Sequence, residues 1–241
     1  MSLPRLAPEQ VQVWIAGLGA DAEQLRACEA LLSADELERA LRFRLPELRR
    51  RYGVAHAILR RLLAAQLGAD AASLRLVTGP HGKPALRDQP QLCFNLSHAG
   101  DRAMFALAWQ RDVGVDLEPV SPDTEVDAVA RHVFSPEECD ALAELPGAER
   151  REAFFRIWTR KEAYIKALGL GLAYPTQSFA VSGRRQDGDA LLLDRSLPQA
   201  KQLWRVAEIA APTGHCAALA AAGRDWSAVM APGMLDAATR F

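Results

Sequence analysis

The chain has 241 residues, 49% hydrophobic and 24% charged, enough apolar material for one large core or two smaller ones. Its net charge of −1 removes the global basic field of a nucleic-acid binder, and no apolar run reaches the length of a membrane span. The four cysteines, Cys28, Cys93, Cys139 and Cys216, form no CxxC pair, so neither a zinc site nor a disulfide framework is expected.

The opening stretch, MSLPRLAPEQVQVWIAGL, lacks a basic region followed by an apolar core and a cleavage site, so a reduced, cytoplasmic protein is expected. The segment SADELERALRF reads as a helix start: Ser33 caps it and Glu36 closes a capping box. A longer helix is expected over RRRYGVAHAILRRLLAAQLG, stopped by Gly68. GPHGKP, Gly79 to Pro84, is a Gly/Pro turn carrying Lys83, and reads either as a phosphate cradle or as a plain turn. LCFNLSH, AMFALAW and VGVDLEPV read as short strands separated by turn residues. FSPEECDAL holds a second capping box, with Ser135 as cap, Pro136 at the first helical position and Glu138 closing it. A long helix is expected over residues 148–168, stopped by Gly169, with Phe154, Phe155 and Trp158 in its core face. SFAVSG, ALLLD, LWRVAEI and CAALAAA read as further strands. Aligning Gly68 with Gly169 superposes two basic-flanked amphipathic helices that both end in Leu-Gly. That echo suits two similar halves, and equally the general likeness of amphipathic helices.

Three places carry chemistry. In VGVDLEPV, Val113, Val115 and Leu117 alternate with Gly114, Asp116 and Glu118, placing the two carboxylates on one face roughly 7 Å apart. They repel unless a cation or solvent relieves them, and hard oxygen ligands at this spacing suit Mg²⁺; a solvated polar face is the other reading. In CFNLSHAGD, Asn95, Ser97 and His98 are phosphate hydrogen-bonders or ordinary strand-end residues. Ser97 lacks the Gly-x-Ser-x-Gly elbow of a hydrolase nucleophile. In WTRKEAYIKALGLGL, Glu162 and Lys166 lie one helical turn apart, either as a solvated ion pair or as tools for a metal and a phosphate.

Together these motifs resemble the surfactin-type 4′-phosphopantetheinyl transferases. That family's signature is an acidic strand of the G-[IV]-D-[IL]-E type followed by W-x-x-K-E-[AS]-[FY]-x-K. Here Gly114-Val115-Asp116-Leu117-Glu118 and Trp158 to Lys166 match every fixed position, and the likeness runs from Leu31 to Phe179. The resemblance implies an α+β protein of two similar halves, residues 1–112 and 113–241, with the active site between them. It implies a monomer that moves the phosphopantetheine arm of coenzyme A to a serine of a carrier protein. Mg²⁺ is the implied cation, with Mn²⁺ able to substitute, and adenosine 3′,5′-bisphosphate the other product. Asp116, Glu118 and Glu162 are the implied metal ligands, Glu162 also the implied general base, and Lys166 the pyrophosphate partner. Asn95, Ser97, His98 and the turn His81-Gly82-Lys83 match coenzyme A contacts, and Arg39 and Arg51 the 3′-phosphate grip. Glu36 and Tyr52 depart from the family pattern near that grip. A non-catalytic nucleotide- or carrier-binding module and a metal-dependent phosphohydrolase are the alternatives.

Overall fold

The computed structural model describes residues 5–185 and 189–240. The first half opens with strand β1 (Gln10–Gly17), helices α1 (Ala22–Glu29) and α2 (Ala34–Leu41), and the long helix α3 (Pro46–Leu67). A small hairpin, β2 (Leu76–Thr78) and β3 (Pro84–Leu86), then leads to β4 (Leu92–Ala99) and β5 (Arg102–Trp109). The second half runs β6 (Val113–Pro119), α4 (Val126–Val133), α5 (Pro136–Ala143), α6 (Gly147–Leu168), β7 (Phe179–Val181) and β8 (Leu191–Asp194). It ends with α7 (Ala200–Leu203), β9 (Trp204–Glu208), β10 (His215–Ala222) and β11 (Ser227–Leu235). Among the described residues no helix is long and apolar enough to cross a membrane.

The protein is α+β in two halves built on one plan. Each half lays a 22-residue helix, α3 or α6, on a mostly antiparallel sheet. Both helices end on a left-handed glycine, Gly68 at φ 63° and Gly169 at φ 70°, a conformation that costs a residue without a Cβ nothing. The capping boxes at Ser33 and Ser135 are both formed. The first sheet has the order β11-β1-β5-β4, and the second β6-β10-β9.

The expected boundary at 112/113 falls in the link between β5 and β6, but the second half does not keep its last strand. β11 crosses back and pairs parallel with β1, so residues 227–235 complete the first sheet. Period-two alternation sorts the core. Trp14, Phe94, Phe105 and Leu107 face α3, while Val11, Val13, Met104 and Ala106 meet Val113, Val115 and Leu117 in a cluster shared by both sheets. Gly114, Asp116 and Glu118 therefore look the other way, toward α6.

Candidate functional site

Gly114 fixes how closely β6 and α6 approach. A Cβ there would lie 2.1 Å from the Ala163 carbonyl oxygen and 2.3 Å from the Ala167 nitrogen, so only glycine fits. That contact sets the turn of α6 carrying Glu162 and Lys166 directly over the β6 carboxylates. Lys161 anchors the same turn from behind. Buried at 3% exposure, it donates to both Glu138 carboxylate oxygens (3.0 and 2.7 Å) and to the Phe179 carbonyl (2.7 Å). Glu138 in turn accepts from the Ser135 and Val181 backbone nitrogens. The capping box was legible in the sequence; its tie to Lys161 was not.

Asp116 is the centre of the cluster. It is 2% exposed, and its Oδ1 accepts from the Ser97 hydroxyl (2.9 Å) and the Lys166 ammonium (2.5 Å). Lys166 also donates to Ser97 Oγ at 3.0 Å. Lys166 therefore pairs with the strand carboxylate and not in a solvated pair with Glu162. Asp116 Oδ2 is buried with no hydrogen-bond partner, an acceptor whose capacity is unused.

The flanking carboxylates feel this charge. Burial, then repulsion from Asp116, pushes Glu118 up to about 7, while a Trp158 hydrogen bond and Lys166 pull it down. Trp158 thus joins the site as well as packing on the α6 core. Burial also raises Glu162, with Lys166 opposing and Asp116 adding to the shift. Among the described residues no three His, Cys, Asp or Glu side chains are gathered into a preformed metal centre. The donor set nevertheless fits a hard divalent cation. It offers three carboxylates whose mutual repulsion a cation would relieve, and an unpartnered buried Asp116 oxygen. Lys166 supplies the compensating charge here.

A cationic field adjoins the carboxylates. His98, at the exposed end of β4, is shifted down first by partial enclosure of its ring and then by Lys166, His56 and Arg51. His56 stacks on Tyr52 with ring centroids 4.0 Å apart and bonds the Glu36 carboxylate at 3.0 Å. Glu36 also accepts from Arg60 and closes the α2 capping box. The departures at Glu36 and Tyr52 thus belong to one buried hub beside the basic residues. Burial pushes the Glu36 carboxyl up, but bonds from His56, Arg60 and the Ser33 backbone outweigh it and hold it at about 2. Arg51 pairs with Glu47, and Arg39 is exposed on the last turn of α2.

The turn His81-Gly82-Lys83 joins β2 to β3, with His81 and Gly82 exposed and Gly82 at φ 88°. The structure gives Lys83 other partners. Its ammonium bonds Asp112 (3.0 Å) and the Ala167 carbonyl (2.7 Å), tying the first half to the C-terminal end of α6. Asn95 is also engaged within the protein, accepting from the Val115 backbone nitrogen at 2.9 Å. Several concavities lie away from this cluster. One of about 500 Å³ runs between α5, α6 and β7, lined by Glu149, Arg156 and Leu192, and none of the cluster lines it.

Two family models divide most of the chain between them. Residues 20–110 match the model of the 4′-phosphopantetheinyl transferase N-terminal family, and residues 112–220 that of the 4′-phosphopantetheinyl transferase superfamily. The chain is 34% identical over 227 residues to the 4′-phosphopantetheinyl transferase HetI of Nostoc sp., covering 92% of this chain and 91% of HetI. It is 31% identical over 159 residues to the 4′-phosphopantetheinyl transferase Sfp of Bacillus subtilis, covering 66% of this chain and 69% of Sfp. A holo-(acyl-carrier-protein) synthase from Bacillus anthracis, solved with coenzyme A (3′,5′-ADP), superposes on 46% of this chain and 94% of its own, with a TM-score of 0.38 and 18% identity.

Proposed function

The chain belongs to the 4′-phosphopantetheinyl transferase superfamily, and we propose that its cleft moves the 4′-phosphopantetheine arm of coenzyme A, with Mg²⁺, onto a carrier-protein serine. The carrier is an acyl or peptidyl carrier protein, and the other product is adenosine 3′,5′-bisphosphate. The observation that carries the residue assignment is the Asp116–Ser97–Lys166 cluster at the junction of the halves, with Glu162 and Glu118 beside it.

The carrier serine oxygen attacks the phosphorus that bears the pantetheine arm. A new oxygen–phosphorus bond forms, the pyrophosphate bridge breaks, and its electron pair leaves on the adenosine bisphosphate. The serine proton goes to Glu162, whose affinity for protons burial raises. Lys166 shares its positive charge with the pyrophosphate as charge builds on the leaving oxygen. His98, within the field of Lys166, His56 and Arg51, holds the phosphates, and Arg39 and Arg51 steer the 3′-phosphate. Asp116, Glu118 and Glu162 would hold Mg²⁺, which when bound neutralises the carboxylates and the pyrophosphate oxygens. One chain supplies every residue of the cluster, which supports a monomer.

The test is direct. The protein is incubated with coenzyme A, Mg²⁺ and an apo carrier, and the carrier is weighed by intact-mass spectrometry. A gain of one phosphopantetheine arm is expected. No gain on any of several apo carriers, or release of free pantetheine phosphate without a carrier, would overturn the proposal.

A further inference from the structure

β4 and β6 run side by side across the junction of the halves, yet among the described residues they share no backbone ladder. β4 pairs with β5 and β6 with β10. β6 therefore turns a buried edge toward β4, with Val115 and Leu117 fully enclosed at 0% exposure. Their backbone N–H groups need acceptors, because a buried donor without one costs a large part of a hydrogen bond. Side chains of β4 fill that role. Asn95 Oδ1 accepts from Val115 N at 2.9 Å, and Ser97 Oγ from Leu117 N at 3.4 Å. Both donors and both acceptors are spaced two residues apart, so the bonds fall on either side of Asp116. The Asn95 bond has ordinary length; the Ser97 bond is long, and that hydroxyl is shared with Asp116 and Lys166.

We propose that Asn95 is a positioning residue: its side-chain carbonyl replaces the missing ladder between the halves and fixes Asp116 along the cleft against Lys166. This rests on the transferase reading of the site. Asn95 sits in the same segment as the coenzyme A contacts Ser97 and His98, but it is 6% exposed and its acceptor faces β6. It acts through Asp116 rather than on the substrate. Ser97 can be spared from the bridge because it has other partners, whereas Val115 N–H has Asn95.

The test compares Asn95→Leu, which keeps the volume and removes the acceptor, with Asn95→Asp, which keeps an acceptor oxygen in place. Amide hydrogen exchange of the β6 peptide, coenzyme A affinity by calorimetry, and transfer kinetics are measured on each. In Asn95→Leu the Val115 amide is expected to exchange faster. Turnover should fall about tenfold or more while coenzyme A affinity stays within about threefold. Asn95→Asp should keep the amide protected. A coenzyme A affinity down about tenfold with unchanged exchange would make Asn95 a substrate contact and overturn the proposal. Native behaviour of Asn95→Leu in all three readouts would also overturn it. Should Asn95→Leu fail to fold, a Val115 amide exchanging as fast in the wild type as exposed amides would overturn it. Exchange and calorimetry need no turnover, so they judge Asn95 even where the wild-type transfer assay fails and the functional reading falls alone.

Discussion

Gly114→Ala tests the packing that builds the site. The new Cβ would stand 2.1 Å from the Ala163 carbonyl oxygen, against backbone that has no rotamer to turn away. An ordinary carbon–oxygen contact needs roughly 3.3 Å, so α6 must retreat from β6 by about 1 Å. Overpacking a tight core costs about 1–3 kcal/mol, and a rigid backbone clash belongs at the upper end. At about 2–4 °C per kcal/mol for a chain of this size, Gly114→Ala should melt about 6–12 °C lower. The same 1 Å separates Glu162 and Lys166 from Asp116, and a misplacement of that size can cost about a hundredfold in rate. Differential scanning calorimetry and the carrier mass-shift assay on one preparation read both effects. Gly147→Ala, whose Cβ would meet nothing within 4 Å, is the control and should stay within about 0.5 kcal/mol of wild type. Native melting and native turnover in Gly114→Ala would refute the claim that this approach positions the helix.

Lys166→Ala removes the positive charge from the pyrophosphate and should slow transfer by about 2–4 kcal/mol of transition-state free energy, about thirtyfold to a thousandfold in rate. It also strips the buried Asp116 of its ion pair, so melting should fall too; a normal rate would return the helix to a purely structural role. His98→Ala should raise the coenzyme A KM more than it lowers turnover, and an unchanged KM would remove His98 from the phosphate site. Glu36 is held near 2, below its usual 4.5, so it contributes stability above pH 4.5 that is lost as pH falls toward 2. The loss amounts to roughly 3 kcal/mol, and acid titration of melting should show this limb flattened in Glu36→Gln. Lys161→Met leaves the buried Glu138 carboxyl without its partner and should cost about 3–5 kcal/mol of stability, read as a lower melting temperature.

Periodicity and capping were strong guides where one face of an element is buried. Both capping boxes, both glycine stops and the outward set of Gly114, Asp116 and Glu118 could be read from residue spacing alone. β1 was not legible because Val11, Gln12, Val13 and Trp14 are all buried, so polar and apolar residues do not alternate with the faces. β11 was hidden by Pro232 and Gly233, at the irregularity where its register with β1 shifts. In the site, residue types disclosed the carboxylates and lysines but not their partners. Lys83 reads as a phosphate ligand in its turn, yet its ammonium also reaches Asp112 and the Ala167 carbonyl, and Lys161, given no role by its motif, is bound by Glu138 and the Phe179 carbonyl. Asn95 shares that fate, because the strand edge it serves exists only once the two halves meet.

The central claim is that the Asp116 cluster between the halves performs the transfer. The most direct measurement is intact-mass spectrometry of an apo carrier incubated with coenzyme A, Mg²⁺ and either the wild-type protein or a folded Asp116→Asn variant. Asp116→Asn preserves the shape of the buried side chain and removes its charge. The wild type should add one phosphopantetheine arm to the carrier while the variant leaves it at the apo mass over the same time. Equal modification by both proteins would contradict the account.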